Sequence, residues 1–327
     1  MGPTAVQPSN LGKCLHAIGY PAGTAAAVGV SRLPEPYVVA VEGFTPDGAP
    51  FGADTMVYVG SLAKQITAAC AALLVLAGHL DIESPITTWL PELPGWAQAI
   101  RVRHLIHHTG DMPDEETVWT AMQRAGTRDR TSPGVLLALA TMPSHKARPG
   151  TRYAYSNYGY VCLASIVERV VLQPLAAFAH AHLFAPLAMR QTTFWAGPAP
   201  APPGGTALAR SLSPAPLSLG DGGLWTTLHD LLRWNDALIG DVLGITRLLH
   251  TPGHLDDGTP LDYAWGVRVF EQAGWHIQSH GGGWKGATAK LLRLPDNRSS
   301  VAAVALHDDI DRIVRLIASV QQLLIMT

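Results

Sequence analysis

The chain has 327 residues, of which 47% are hydrophobic and only 15% charged, and its formal net charge is −2. That much apolar chain suits one large domain or two subdomains sharing a face, and it points to a compact globular protein and not a disordered one. The near-neutral balance offers no electrostatic footprint for nucleic acid or an anionic membrane, and three cysteines far apart (Cys14, Cys70, Cys162) argue against a disulfide framework.

In chain order, residues 1–20 carry a short helix around Leu11 to Ile18. Thr24 to Val30 and Tyr37 to Gly43 read as strands joined by the Pro34/Pro36 turn. Pro46-Asp47-Gly48 is a turn, and Asp54 to Val59 runs into Gly60-Ser61. The segment from Ile66 to Ala77 is apolar nearly all round, so it reads as a buried helix, with Gly78 at its C′ position. Residues 79–100 are a proline-rich connection. From Val102 to about Leu249 the pattern is mostly helical, with pieces at Val135 to Ala140, Tyr158 to Val171, Leu175 to Leu183 and Leu228 to Ile239. Pro198 to Pro216 is loop. After about residue 256 strands return, at Ala264 to Phe270, Trp275 to Ser279, Thr288 to Leu294 and Ser300 to Leu306. Asp308 or Asp309 then caps a final helix with apolar positions Ile310, Ile313, Val314, Ile317, Val320 and Leu324.

Strands at both ends with helices between predict an α+β (α/β) fold, in which both chain ends build an antiparallel sheet flanked by helices around an inserted, mainly helical region. The expected division is 1–60 with 256–327 for the sheet and 61–255 for the helices, with a site at their junction. No segment has the length of a membrane span and no cationic leader opens the chain, so the expectation is a cytoplasmic protein without a membrane partner. Nothing in the pattern fixes an oligomeric state.

Three stretches carry candidate chemistry. In Gly60-Ser61-Leu62-Ala63-Lys64, a serine opening a helix places its hydroxyl on the same face as the lysine one turn on. Either Ser61 caps and Lys64 is solvated, or a lysine of lowered pKa takes the serine's proton. The chain has only five lysines, and one at the mouth of a buried helix needs a reason. Tyr155-Ser156-Asn157 follows Pro149-Gly150 and runs into a helix. Tyr155 either packs at that helix N-terminus or shares a proton with Lys64 as a coupled pair, an ammonium lowering the phenol's pKa. Asn157 offers a donor and an acceptor to a substrate amide. His280-Gly281-Gly282-Gly283 ends a strand and reads either as a glycine turn or as backbone that lies close to a substrate and donates to an oxyanion.

Other patterns are discounted. Residues 281–288 are not a phosphate loop, since Lys285 precedes Gly286 and strand follows. His104, His107 and His108 share one helical face, but no carboxylate completes a metal set, so a helix end packed with hydrogen-bonded histidines is expected and no metal site is assigned.

Taken together, Ser61-x-x-Lys64, Tyr155-x-Asn157 and His280-x-Gly282 resemble the serine beta-lactamase and penicillin-recognising superfamily, most closely its class C beta-lactamase-related group. Asp54 to Asp81, Trp89 to Leu93, His104 to Gly110, Pro149 to Tyr160, Pro186 to Met189 and Gly222 to Thr227 also fit, so the likeness covers about residues 20–310. It implies Ser61 as an acylated nucleophile, Lys64 and Tyr155 sharing base and acid work, Asn157 on the substrate acyl side, and the amides of Ser61 and Gly283 as an oxyanion hole. His280 stands where beta-lactamases carry lysine, which should weaken binding of a beta-lactam carboxylate. Gly110-Asp111 stands where Ser-Gly is usual.

The implied activity is acyl transfer from an ester, small amide or peptide, with no metal or organic cofactor. A hydrolase, including one for D-amino-acid peptides with weak beta-lactamase activity, is favoured over an acyltransferase or a non-catalytic binding protein. For an acyltransferase, Trp225 and Trp284 near the motifs would line an aromatic cleft; otherwise they are ordinary packing.

Overall fold

The computed structural model describes residues 6–126, 130–143, 145–208 and 214–326. Helix α1 (Pro8–Ala17) precedes strands β1 (Ala26–Arg32), β2 (Val38–Glu42) and β3 (Val57–Tyr58). A 3₁₀ turn, Gly60–Leu62, leads into α2 (Ala63–Leu76), followed by α3 (Val102–Ile106), α4 (Glu115–Arg124), α5 (Ser132–Ala140), α6 (Asn157–Val171) and α7 (Leu175–Ala179). Then come β4 (Thr193–Phe194), β5 (Leu224–Thr226), α8 (Leu228–Ile239), α9 (Thr246–Leu249), β6 (Arg268–Gln272), β7 (Trp275–Trp284), β8 (Ala287–Leu294), β9 (Ser299–Ala305) and α10 (Ile310–Met326).

Both chain ends build one antiparallel sheet of order β2-β1-β9-β8-β7-β6, as the sequence predicts. The N-terminal strand β1 pairs with β9 along its whole length, from Ala26 opposite Ala305 to Arg32 opposite Ser299. Its central strands are covered on both faces, which is why they read as continuous small and apolar runs. Ala26, Val28 and Val30 pack with Ile313, Ile317 and Val320 of α10, while Ala27 on the other face joins the core that holds α2 and α8. Asp309 caps α10 by accepting from the Asp311 and Arg312 amides at 3.1 and 3.2 Å.

Several boundaries differ from expectation. The buried stripe of α10 is Ile313, Leu316, Ile317, Val320 and Leu324; Ile310 and Val314 are exposed, because the face turned to β8 and β9 is narrower than the apolar pattern. Strand β6 starts at Arg268, not Ala264, because Gly266 takes φ +76° in a turn pressed against the Lys64 backbone. Strand β7 does not stop at Ser279 but runs through all three glycines to Trp284, so the reversal falls at Lys285-Gly286. A second sheet, β3-β5-β4, has strands of two or three residues that leave too little periodicity to be read beforehand. Residues 209–213 of the predicted Pro198 to Pro216 loop lie outside the described residues. Among the described residues no single helix is long and apolar enough to cross a membrane.

Candidate active site

Ser61 sits in the 3₁₀ turn between β3 and α2, two residues before the α-helix begins. Strand β7 lies directly over this turn, and glycine is what lets it. A methyl carbon on Gly282 would stand 2.0 Å from the Val59 carbonyl oxygen and 2.8 Å from the Ser61 nitrogen. One on Gly60, which has φ +52°, would stand 2.6 Å from the Gly283 nitrogen. The two backbones therefore bring the Ser61 and Gly283 amides side by side. The two-residue turn makes Trp284 and Ala287 a hydrogen-bonded pair, so by alternation the Gly283 N–H points away from β8. The Ser61 N–H belongs to the first turn of a helical segment, where amides have no intrahelical acceptor. Two free donors converge beside a half-exposed hydroxyl.

Lys64 is completely buried, and its Nζ meets three oxygens: Asn157 Oδ1 at 2.7 Å, the Asp221 carbonyl at 2.9 Å and Ser61 Oγ at 3.1 Å. Burial lowers its pKa to about 7, Arg130 helps, and the charges of Asp221 and Glu115 oppose the shift. Without its proton the amine has two N–H donors and one lone pair. The Asp221 carbonyl can only accept, and so can Asn157 Oδ1. These two partners use both donors and leave the lone pair facing the Ser61 hydroxyl.

Tyr155 is 43% exposed, and its hydroxyl lies close enough to the Ser61 side chain to interact with it. Its ring centroid is 4.9 Å from Lys64 Nζ. Burial raises the phenol's pKa well above the usual tyrosine value, and the nearby Ser61 hydroxyl offsets this only in part. The direction is opposite to a phenol lowered by a neighbouring ammonium, because desolvation dominates. The segment is clamped by His108, whose carbonyl accepts from Ala154 N–H at 2.8 Å and whose Nδ1 accepts from Ser156 N–H at 3.1 Å. Its ring packs on Tyr155 at 4.2 Å. The other two histidines of that trio are also bonded as expected: His104 Nδ1 accepts from the Arg101 amide, and His107 Nδ1 meets the Tyr263 carbonyl. Among the described residues no group of three or more histidines, cysteines or carboxylates is placed to hold a metal ion.

Asn157 opens α6 behind the Ser156 cap. Its Nδ2 donates to Glu115 Oε1 at 2.6 Å, which fixes the amide so that Oδ1 faces Lys64. Arg130 donates to Asp221 Oδ2 at 2.7 Å and lies over the Tyr158 ring. Glu115, Arg130 and Asp221 were not singled out from the sequence. The one signal for them in the sequence is that Asp221 directly precedes Gly222–Thr227.

His280 is 8% exposed, with Nε2 3.1 Å from the Tyr263 hydroxyl. Burial, with help from the Lys64 charge, lowers its pKa to about 3, so it is neutral. Trp284 lines a cavity of about 880 Å³ together with Glu115, Arg130 and Tyr158. Trp225 does not line it. It is 1% exposed and packs edge-on against Tyr58, since its position in β5 turns it into the core of the small sheet. A second cavity of about 460 Å³ opens on the Tyr155 and His280 side.

The family model described as Beta-lactamase matches residues 24–314. Penicillin-binding protein 4* of Bacillus subtilis (strain 168) is 26% identical over 294 residues, covering 77% of this chain and 61% of that protein. The D-aminopeptidase of Brucella canis is 27% identical over 265 residues, covering 76% of this chain and 49% of that protein. The chain thus spans between half and about three-fifths of these relatives' length. The crystal structure of a D-stereospecific amidohydrolase from Streptomyces sp. superposes with a TM-score of 0.75 at 19% identity, covering 95% of this chain and 98% of that one.

Proposed function

The chain belongs to the beta-lactamase family, and from that premise we propose that it is a serine hydrolase that cleaves an ester, small amide or peptide bond through an acyl-enzyme on Ser61. The observation that carries this reading is the Lys64 amine, buried, held near neutrality, and hydrogen-bonded so that its lone pair faces the Ser61 hydroxyl.

In this reading Lys64 takes the Ser61 proton as Ser61 Oγ attacks the carbonyl carbon. Negative charge develops on the carbonyl oxygen between the Ser61 and Gly283 amides, donors already in place before reaction. Tyr155, a protonated phenol touching Ser61, relays the proton from Lys64 to the departing nitrogen or oxygen. Water then attacks the acyl carbon as Lys64 accepts its proton, the bond to Ser61 Oγ breaks as Lys64 returns that proton to it, and the acyl group leaves as the acid. Glu115 holds Asn157, and Asn157 and the Asp221 carbonyl hold the amine.

The name D-aminopeptidase among the relatives, and D-stereospecific amidohydrolase among the similar folds, supports an amide of a D-amino acid as substrate. A panel of D-amino-acid amides, their L-enantiomers, short esters and cephalosporins tests this. Cleavage of the D-amides by wild type and none by Ser61→Ala is expected. Equal cleavage by Ser61→Ala overturns the proposal.

A further inference from the structure

Ala289 and Leu291 of β8 turn apolar side chains into the core that holds α2 and α8, and the next residue on that face is Arg293. Arg293 is 1% exposed, and among the described residues no carboxylate pairs with it. Its guanidinium is held by neutral groups. Nη1 donates to Gln65 Oε1 of α2 and to Asn235 Oδ1 of α8, both at 3.0 Å, and Nε donates to Gln278 Oε1 of β7 at 2.9 Å. Nη2 lies 3.4 Å from Nε2 of His250, which burial keeps neutral. Burial lowers the Arg293 pKa to about 9, still above neutrality, so the charge stays. A buried cation with no carboxylate beside it costs desolvation. Gln65 Nε2 and Asn235 Nδ2 are also buried with no hydrogen-bond partner among the described residues, because their oxygens are turned to Arg293. A cluster that costs stability at three groups points to a role other than stability.

Two of the four partners belong to the pieces of chain that build the active site. Gln65 directly follows Lys64 in the first turn of α2. Gln278 lies directly opposite Arg293 on β7, the strand that carries the Gly283 amide. Further along, β7 meets the serine turn where Gly282 lies against the Val59 carbonyl. A single contact leaves a helical turn free to pivot against a strand, and a second contact away from the first removes that freedom. The Gly266 turn closes on the same helical turn, where a methyl carbon would stand 2.6 Å from the Lys64 carbonyl oxygen. We propose that Arg293 is a positioning residue for acyl transfer: it ties the first turn of α2 to β7 through Gln65 and Gln278, and so keeps Lys64 Nζ at Ser61 Oγ. The proposal rests on the acyl-enzyme reading above and adds to it a residue that touches no substrate. A guanidinium suits the place, since it offers five donors in a rigid plane and no acceptor to partners that all accept.

The test measures the acylation rate of Ser61 by p-nitrophenyl acetate in single-turnover mixing, per mole of enzyme that takes up an acetyl group, beside the melting temperature. Arg293→Met and Gln65→Leu should each slow acylation roughly 10- to 100-fold with substrate binding unchanged, as a small misplacement of a reacting group does. The double variant should be little slower than either single one, because Arg293 acts through Gln65. Arg293→Lys keeps the charge without the planar fork and should fall between Arg293→Met and wild type. Asn235→Leu removes a hydrogen bond of the same length to the same guanidinium, but from α8. It should lower the melting temperature and leave the rate per active enzyme near wild type. Rates that follow the melting temperatures in every variant, Asn235→Leu included, or additive losses in the double variant, overturn the proposal. Should Arg293→Met not fold, Gln65→Leu against Asn235→Leu decides. Wild type that takes up no acetyl group overturns the acyl-enzyme reading beneath; wild type that does, with Gln65→Leu acylating equally fast, overturns the role of Arg293 alone.

Discussion

Lys64 Nζ and Ser61 Oγ stand 3.1 Å apart, and the amine is the more buried of the two, with no exposed surface at all. A lysine in that position is tolerated because its other two partners, Asn157 Oδ1 and the Asp221 carbonyl, are acceptors that a neutral amine satisfies with its two hydrogens. An unprotonated Lys64 so held turns its lone pair toward the Ser61 hydroxyl, the direction the proposed proton transfer takes.

Lys64→Arg keeps a cation but removes the base, since a guanidinium does not deprotonate in this range. Turnover of any accepted ester should fall by roughly 10²- to 10⁴-fold, the usual worth of a positioned base. Steady-state kinetics with folding checked by circular dichroism measures this. Near-normal rates would transfer the base role to Tyr155.

The base must be unprotonated, so kcat/KM should be low in acid and rise with pH through about 7, where Lys64 titrates. The Asp221 carboxylate raises that pKa. Asp221→Asn removes the opposing charge and should move the acid limb to lower pH. A purely structural loss would reduce the rate without moving the limb.

The same shift links to stability. Lys64 has a folded-state pKa of about 7 against the ordinary lysine value of 10.5, so between those values the unfolded chain binds the extra proton. Stability should rise with pH across that window from this group, the cost of burial being full below pH 7 and gone above 10.5. The Tm difference between Lys64→Met and wild type should accordingly become less favourable to the variant as pH rises from 7 toward 10, read by thermal melts at several pH values.

Gly282→Ala puts a methyl carbon 2.0 Å from the Val59 carbonyl oxygen, so β7 must lift off the serine turn. Loss of alignment between the Ser61 and Gly283 amides should cost about 10²-fold or more in kcat, as removal of an oxyanion donor does. At Gly281 a methyl carbon meets nothing closer than 3.6 Å, so Gly281→Ala should melt close to wild type while Gly282→Ala melts lower. Equal melting temperatures for the two would contradict the close approach.

Local signals proved readable where one stretch of chain holds the whole message. The spacing of Ser61 and Lys64, the Asp309 cap, the α8 limits and the strands at both ends all follow from neighbours in sequence. The rest depends on which way a residue faces. Trp225 adjoins a motif yet turns into the core, because alternation in a three-residue strand cannot be phased from sequence. Glu115, Arg130 and Asp221 reach the site from α4 and two loops, and only the packed fold brings them to Asn157 and Lys64. The glycines of β7 read equally as a chain reversal or as backbone lying close to a substrate, and what requires a glycine at 282 is a backbone 223 positions earlier in the chain, at Val59.

The central claim is a covalent ester on one alcohol, and intact mass reads it directly. Enzyme mixed with a p-nitrophenyl ester and quenched in acid should gain the mass of one acyl group, mapped by peptide fragmentation to Ser61, and Ser61→Ala should gain none. Turnover by wild type with no such adduct under single-turnover conditions, or an adduct that persists in Ser61→Ala, would contradict the account.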